Sequence, residues 1–142
     1  YDLRPMALDD LGLIPTIKKY INTTSEYNNV KIEFTSIGEV KRINQKYEIA
    51  FFRLAQEAIQ NAVKHAEATR ITVKIEICSR NLNLIVEDNG KGFDPTIKRD
   101  KSFGLMGMRE RVEMFDGVMD IKSAIGKGTK IAIRVPYQRA LI

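Results

Sequence analysis

No tryptophan occurs in these 142 residues, and there is one cysteine and one histidine. Cys78 cannot close an internal disulfide, and one thiol with one imidazole cannot build a Cys-based or His-based metal centre. A lone thiol suits a reducing compartment, so a cytoplasmic location is expected. No apolar run is long enough to cross a bilayer, and this stretch is expected to make no membrane contact. The net charge of +5 permits anionic partners such as phosphates. The basic residues are interleaved with acidic ones and no row of aromatics accompanies them, which argues against nucleic acid. G-x-x-x-x-G-K-[ST] is absent, as is the spacing of a dinucleotide fingerprint, so any phosphate site is of another kind. There is no repeat and no low-complexity segment.

At 44% hydrophobic and 29% charged residues, the chain has the composition of a globular domain. Its length supports one core, and residues 1–142 are read as a single domain. Leu3-Arg4-Pro5 is expected to end a segment of something longer, with residues 1–12 as the end of a linker. Ile14, Ile17 and Ile21 recur at helical spacing behind Pro15, and Asn28-Asn29 closes that helix. Val30, Ile32 and Phe34 alternate with charges as a short strand before the Gly38 turn. A long helix follows from about Gln45 to Ala66. Residues 71–78 alternate over a full strand, and Arg80-Asn81 turns it into Leu82–Glu87, apolar enough to suggest burial on both faces. From Asp88 to Ser102 the pattern breaks into a loop. Leu105, Met108, Val112 and Phe115 then mark a helix stopped by Gly117. Strands at 118–122 and 130–136 close the chain. The pattern predicts a two-layer α/β sandwich, with a mixed, mostly antiparallel sheet of about five strands and three helices on one face.

Chemistry concentrates in three places. In the stretch QEAIQNAVKHA, Asn61 and Lys64 fall within roughly 40° of Glu57 on a helical wheel, while Phe52, Ala55, Ile59, Ala62 and Ala66 gather on the other side. A carboxylate, an amide and an ammonium together can hold a hydrated cation beside an anionic ligand, though every amphipathic helix has a polar face. Asp88-Asn89-Gly90-Lys91-Gly92 ends a strand; its glycines let backbone approach a ligand, and Asp88 could accept from an exocyclic amine such as that of adenine. As Asn-Gly it also reads as a plain hairpin turn. Gly104-Leu105-Met106-Gly107-Met108 opens a helix, where free N–H groups and the helix dipole bind phosphate, or where a hinge simply enters a helix. Arg109 and Glu113 read as a surface i, i+4 pair, and Met106, Met108, Met114 and Met119 as core or lid packing.

Taken together these motifs resemble the GHKL (Bergerat-type) ATPase superfamily, and within it the ATP-binding catalytic domain of sensor histidine kinases. QEAIQNAVKHA resembles the asparagine box, DNGKGF the first glycine box, GLMGMRER the second, and Gly126-Lys127-Gly128-Thr129 the last glycine-threonine element. LRPMALDDLGL is similar to the opening of the short-lid branch of nitrate sensors and degradative-enzyme sensors. The resemblance runs from Leu3 to Pro136. It implies that Asn61 coordinates Mg²⁺, that Glu57 is the catalytic carboxylate, polarising a water or supporting the metal, and that Lys64 and His65 contact phosphate or ribose. It further implies that Asp88 holds the adenine amine with Gly92 and Thr129, and that Gly90 and Phe93 belong to the same nucleotide site. Gly104, Leu105, Gly107 and Met108 would give backbone contacts under a lid from Phe93 to Phe103.

The implied activity is transfer of the γ-phosphoryl of MgATP to a histidine on a helical dimerisation domain outside this chain, for relay to a response regulator. A phosphoacceptor histidine in this family is followed by an acidic residue, whereas His65 is followed by Ala66, so the chain is not expected to phosphorylate itself alone. It is expected to be a monomer, and the full-length protein a homodimer. Rival readings are a gyrase-like or MutL-like ATPase with Glu57 activating water, an anti-sigma serine kinase, and a nucleotide-gated docking module without turnover.

Overall fold

The computed structural model describes residues 5–38, 42–94, 96 and 104–137. Among the described residues four α-helices and five strands run in the order α1 (Met6–Leu11), α2 (Leu13–Asn28), β1 (Lys31–Ile37), α3 (Gln45–Gln60), β2 (Arg70–Ile77), β3 (Asn81–Asp88), α4 (Leu105–Met114), β4 (Val118–Ser123), β5 (Thr129–Pro136). The strands form one sheet ordered β1-β2-β3-β5-β4, in which only β1 and β2 are parallel. That is the mixed, mostly antiparallel sheet the alternation predicts. The parallel step needs a crossover, and α3 supplies it.

Alternation along each strand decides which face the helices cover. Ile71, Val73 and Ile75 of β2, Leu82, Leu84 and Val86 of β3, and Ile131, Ile133 and Val135 of β5 are buried in one cluster with the apolar faces of the helices. Ile85, between two of the buried residues of β3, is only half-buried. Strand β3 is therefore covered on one face and not on two: Ile85, Asn83 and Ala132 lie on the other face, which carries no helix among the described residues.

Helix α3 is held by an N-cap, the Asn44 side chain accepting from Lys46 N at 3.0 Å. Its apolar side is broad, with Phe51, Phe52, Leu54, Ala55, Ala58 and Ile59 all buried between the sheet and the other helices. The helix does not reach Ala66 as regular α-helix. Residues Asn61–His65 form a π-turn, closed by Ala66 N donating to Asn61 O at 3.1 Å. Such turns widen the helix locally and are frequent at functional positions.

Three other differences have simple causes. Residues 6–11, expected as linker, form a helical turn because Leu8, 1% exposed, docks into the core. The left-handed residue after α4 is Asp116 (φ 59), not Gly117. Gly117 is needed for close approach, since a Cβ there would lie 2.7 Å from Arg134 O. Arg109 is not merely surface: its Nη1 donates to Met119 O at 2.8 Å, tying α4 to β4. Met108 and Met119 are core, while Met106 and Met114 are exposed.

Candidate functional site

One cleft opens between the end of α3, the tip of β3, the start of β5 and the start of α4. It encloses about 470 Å³ including its open mouth, and its polar lining comes from Asn61, His65, Asp88 and Thr129. Ala58, Ala66, Val86, Phe93, Leu105 and Ile131 make the walls, with Gly92 at the edge. The sheet register explains the grouping. Asp88 pairs with Thr129 and Val86 with Ile131, so two polar residues stand directly beyond two apolar ones on the same core-facing side. A flat apolar slot with a carboxylate at its end suits a purine ring with an amine at its edge.

Asp88 is held from several sides. Its Oδ1 accepts from Gly90 N at 2.8 Å. Burial pushes its carboxyl above the ordinary 3.8, hydrogen bonds from the N–H groups of Gly90 and Thr129 oppose that, and the nearby charge of Glu87 adds to it. A partly desolvated carboxylate with acceptor capacity to spare attracts a donor from a ligand. Gly92 (φ 62) lies so close to Ala124 O and Gly128 O that no side chain fits.

At the other end, Asn61 is the first residue of the π-turn, and its Nδ2 is buried with no hydrogen-bond partner. Buried amide groups are nearly always satisfied, and this donor belongs to a residue that lines the cleft. Glu57 lies one turn earlier, against the start of α4. Gly104 there adopts φ 68, and a Cβ on it would collide with Glu57 Oε1. The glycine before the helix is thus required twice, for its backbone angle and for the carboxylate beside it. Leu105, the first helical residue, turns its side chain into the cleft.

The structure brings together Asn61, His65, Asp88, Gly92, Phe93, Leu105 and Thr129 from the sequence reading, and sets Glu57 and Gly104 against each other beside them. Four residues stand apart from the cleft wall. Gly90 packs on Ala66, where a Cβ would clash with the Ala66 carbonyl. Met108 is buried in the core, Gly107 has open space around it, and Lys64 is exposed on the π-turn and is not among the residues lining the cleft. Of the lid read at 93–103, only Phe93, Asp94 and Thr96 are among the described residues.

Sequence reasoning missed Ser123. Its hydroxyl accepts from Phe93 N at 2.9 Å, donates to Gly128 O at 3.1 Å and lies 2.8 Å from Thr129 Oγ1. It fastens the chain leaving the Asp88 loop to the β4–β5 hairpin. A small polar residue on the core-facing parity of β4, after Met119 and Ile121, is the signal that could have found it. The apolar walls, Ala58, Val86 and Ile131, could have been found from strand parity alone.

This fold and cleft define a class of nucleotide-binding ATPase domain: the chain belongs to the family of histidine kinase-, DNA gyrase B-, and HSP90-like ATPases, whose description matches residues 46–139. Among individual proteins, it is 58% identical over 139 residues to the signal transduction histidine-protein kinase/phosphatase DegS of Bacillus subtilis (strain 168), covering 94% of this chain and 36% of that protein. It is 51% identical over 136 residues to DegS of Brevibacillus brevis, covering 96% of this chain and 35% of that protein. The chain therefore spans about a third of the length of these relatives. In structure it resembles the catalytic domain of histidine kinase ThkA, with a TM-score of 0.68 at 16% identity over 89% of this chain and 90% of that one. The blue-light activated histidine kinase EL346 of Erythrobacter litoralis gives 0.69 at 17% identity, covering 87% of this chain and 41% of that one. At such identity these likenesses speak for the fold.

Proposed function

We propose that this chain is the ATP-binding catalytic domain of a two-component sensor histidine kinase, binding MgATP and donating its γ-phosphoryl to a histidine on a helical dimerisation segment outside the chain. The observation that carries the reading is the convergence of Asn61 and Asp88 on one cleft, an uncommitted buried amide at one end and a partly desolvated carboxylate at the other. The kinase names of the DegS relatives favour a histidine acceptor over water or serine.

In this reading Asp88 accepts the exocyclic amine of adenine while Val86, Ala58 and Ile131 enclose the ring. Gly92 and Thr129 close that end of the slot. The N–H groups opening α4 at Leu105, freed by Gly104, face the phosphates. The exposed Lys64 offsets phosphate charge at the rim, His65 contacts phosphate or ribose, and Glu57 orients the reacting end of the nucleotide. Mg²⁺ normally keeps several waters and takes few protein ligands. Among the described residues no group of three or more His, Cys, Asp or Glu could hold a metal alone; the orphan Nδ2 of Asn61 is a donor and suits a phosphate oxygen, while the oxygen of the same amide is the atom that would face the ion. Asn61 would hold it through its amide oxygen, with Glu57 in support, and the ion would supply neutralisation of phosphate charge. Catalysis is then chiefly positioning. The longer protein works as a homodimer in the cytoplasm and passes the phosphoryl group to a response regulator; the present chain is a monomer. Among the described residues no helix is long and apolar enough to cross a membrane.

The test has two parts. Calorimetric titration of the chain with ATP is expected to give micromolar, Mg²⁺-dependent binding. Joined to the helical segment that precedes it in the longer protein, the chain is expected to yield acid-labile phosphohistidine on that segment, and the label is expected on the same segment in His65→Ala. Release of inorganic phosphate at an appreciable rate by the chain alone, with no transfer, would replace the kinase reading with a hydrolase.

A further inference from the structure

Asn89, the residue after Asp88, faces solvent at a turn, and an exposed amide beside a binding carboxylate invites the reading of a ligand contact. Its hydrogen bonds exclude that. Oδ1 accepts from both Thr69 N and Arg70 N, each at 3.0 Å. Nδ2 donates to Thr69 Oγ1 at 2.9 Å, and the Asn89 backbone N–H donates to Arg70 O at 3.2 Å. Both lone pairs of the amide oxygen are used, and one of the two N–H groups. The side chain is committed to the entry of β2.

What this bracket holds follows from the chain path. Asp88 is the last residue of β3, paired with Ile71 on one side and Thr129 on the other. Beyond it the ladder would end and the loop would be free to pivot about Asp88. Asn89 prolongs the β2–β3 ladder by one step, its side chain replacing backbone partners, and so stops that pivot on the β2 side. Gly90 and Lys91 continue the fastening. Gly90 packs on Ala66, and Lys91 N donates to Ala66 O at 2.9 Å. The segment 66–70 that receives these contacts is the exit of the π-turn beginning at Asn61. One short stretch of backbone thus carries the brace for both ends of the cleft, and Asn89 is the side chain that ties the Asp88 loop to it.

We propose that Asn89 is a positioning residue for purine recognition: it never touches the nucleotide, and it sets the direction in which Asp88 presents its carboxylate. This rests on the adenine-nucleotide reading of the cleft given above. Its distinctive consequence is selective. Loosening the loop on the β2 side should cost the hydrogen bond to the adenine amine while leaving phosphate and metal contacts in place.

The experiment compares ATP with ITP, whose 6-oxo group replaces the exocyclic amine, by calorimetric titration in Mg²⁺ well below the melting temperature of each variant. In the unsubstituted chain ATP should bind more tightly than ITP. In Asn89→Ala the affinity for ATP should fall about fivefold to tenfold, the size of one directed hydrogen bond, with ITP affinity nearly unchanged, so that discrimination narrows. Asn89→Asp retains the oxygen that receives Thr69 N and Arg70 N, and should restore most of the discrimination. A residue that only stabilises the fold would lower the melting temperature and leave the ATP-to-ITP ratio where it was; that result overturns the proposal. If the unsubstituted chain binds neither nucleotide, or binds both equally, the adenine reading itself fails, an outcome distinct from the first because it appears before any substitution is made.

Discussion

The two ends of α3 each bury polar groups, and they treat them in opposite ways. At the head, Glu48 is 1% exposed. Both its oxygens are occupied: Oε1 by Arg42 Nη2 at 3.0 Å, and Oε2 by Arg42 Nε at 3.1 Å and Ile43 N at 3.4 Å. Arg42 also donates to the Asp9 and Asp10 carbonyls at the end of α1, and its guanidinium is pushed to a higher pKa by the hydrogen bond and charge of Glu48. At the tail, the helix loosens into a π-turn and leaves Asn61 Nδ2 buried without a partner. The difference teaches how to separate architecture from site in a protein of this size. A buried charge that is fully paired holds two segments together, here α1 and α3; a buried donor left unpaired in a residue that lines a cleft is available to something that comes from outside.

The sharpest way to break the contrast is at the tail. Asn61→Ala is expected to weaken MgATP binding by at least about 100-fold, or roughly 2.7 kcal/mol. The melting temperature should stay level or rise slightly, because the substitution removes an unsatisfied buried donor. Titration and thermal unfolding on the same sample check both halves. A large loss of stability would mean that the amide is structural and that its missing partner has no functional meaning.

The head should answer in reverse. Glu48→Ala removes one partner of the ion pair and opens a cavity in the first turn of α3, with an expected loss of about 2–3 kcal/mol in urea unfolding. Nucleotide affinity measured well below the melting temperature should be unchanged, since Glu48 lies outside the cleft. Glu48→Leu, which fills the volume and leaves the half-exposed Arg42 to water, should recover part of the loss. If Glu48→Ala weakens nucleotide binding as much as it destabilises the fold, the two ends of the helix are not separable and the contrast fails.

The frame around this contrast is legible in the sequence, although the contrast itself is not, and the reason is periodicity. Alternation in β2, β3 and β5 and the apolar stripe of α3 each report one buried face, and the glycine clusters mark where backbone must come close to something. Asn61 could be singled out because it shares a helical face with Glu57, and Asp88 because it ends a strand ahead of a glycine cluster. What stayed hidden depends on contacts between distant residues. The Arg42–Glu48 pair joins a loop to a helix and has no sequence period, and Glu48 reads as an ordinary exposed charge in a first turn. The π-turn leaves no mark either, since a wheel drawn at α-helical pitch places Lys64 beside Glu57. Asn89 and Ser123 hold the cleft through hydrogen bonds to backbone atoms, whose positions no residue pattern encodes. Gly117 announced a turn correctly, but the strained angle fell on Asp116, because strand packing had already claimed the glycine.

The smallest expected effect is at the cleft's far end, where Asp88 stands between the two kinds of buried group, partly paired and partly in reserve. Asp88→Asn keeps an oxygen for Gly90 N and removes the charge. A carboxyl whose pKa is raised in the fold binds its proton more tightly there than in the unfolded chain. The stabilisation tied to that proton is complete below the unfolded value of 3.8 and is lost as pH rises through the higher folded value. At neutral pH the unsubstituted chain therefore carries a cost that Asp88→Asn relieves. The melting temperature of the variant should be higher by about 1–3 °C, a small shift because solvent screens a carboxyl that is only partly buried. Scans at decreasing pH should bring the two curves together as the carboxyl of the unsubstituted chain protonates. ATP affinity should move the other way: weaker in the variant at neutral pH, and in the unsubstituted chain falling over the same acid window as the acceptor for the adenine amine is lost. An amide can also turn its N–H outward, so the variant's preference should shift from ATP toward the 6-oxo purine of ITP. A variant less stable than the unsubstituted chain at neutral pH, with nucleotide preference unchanged, would return Asp88 to the class of Glu48, a paired charge with a structural task.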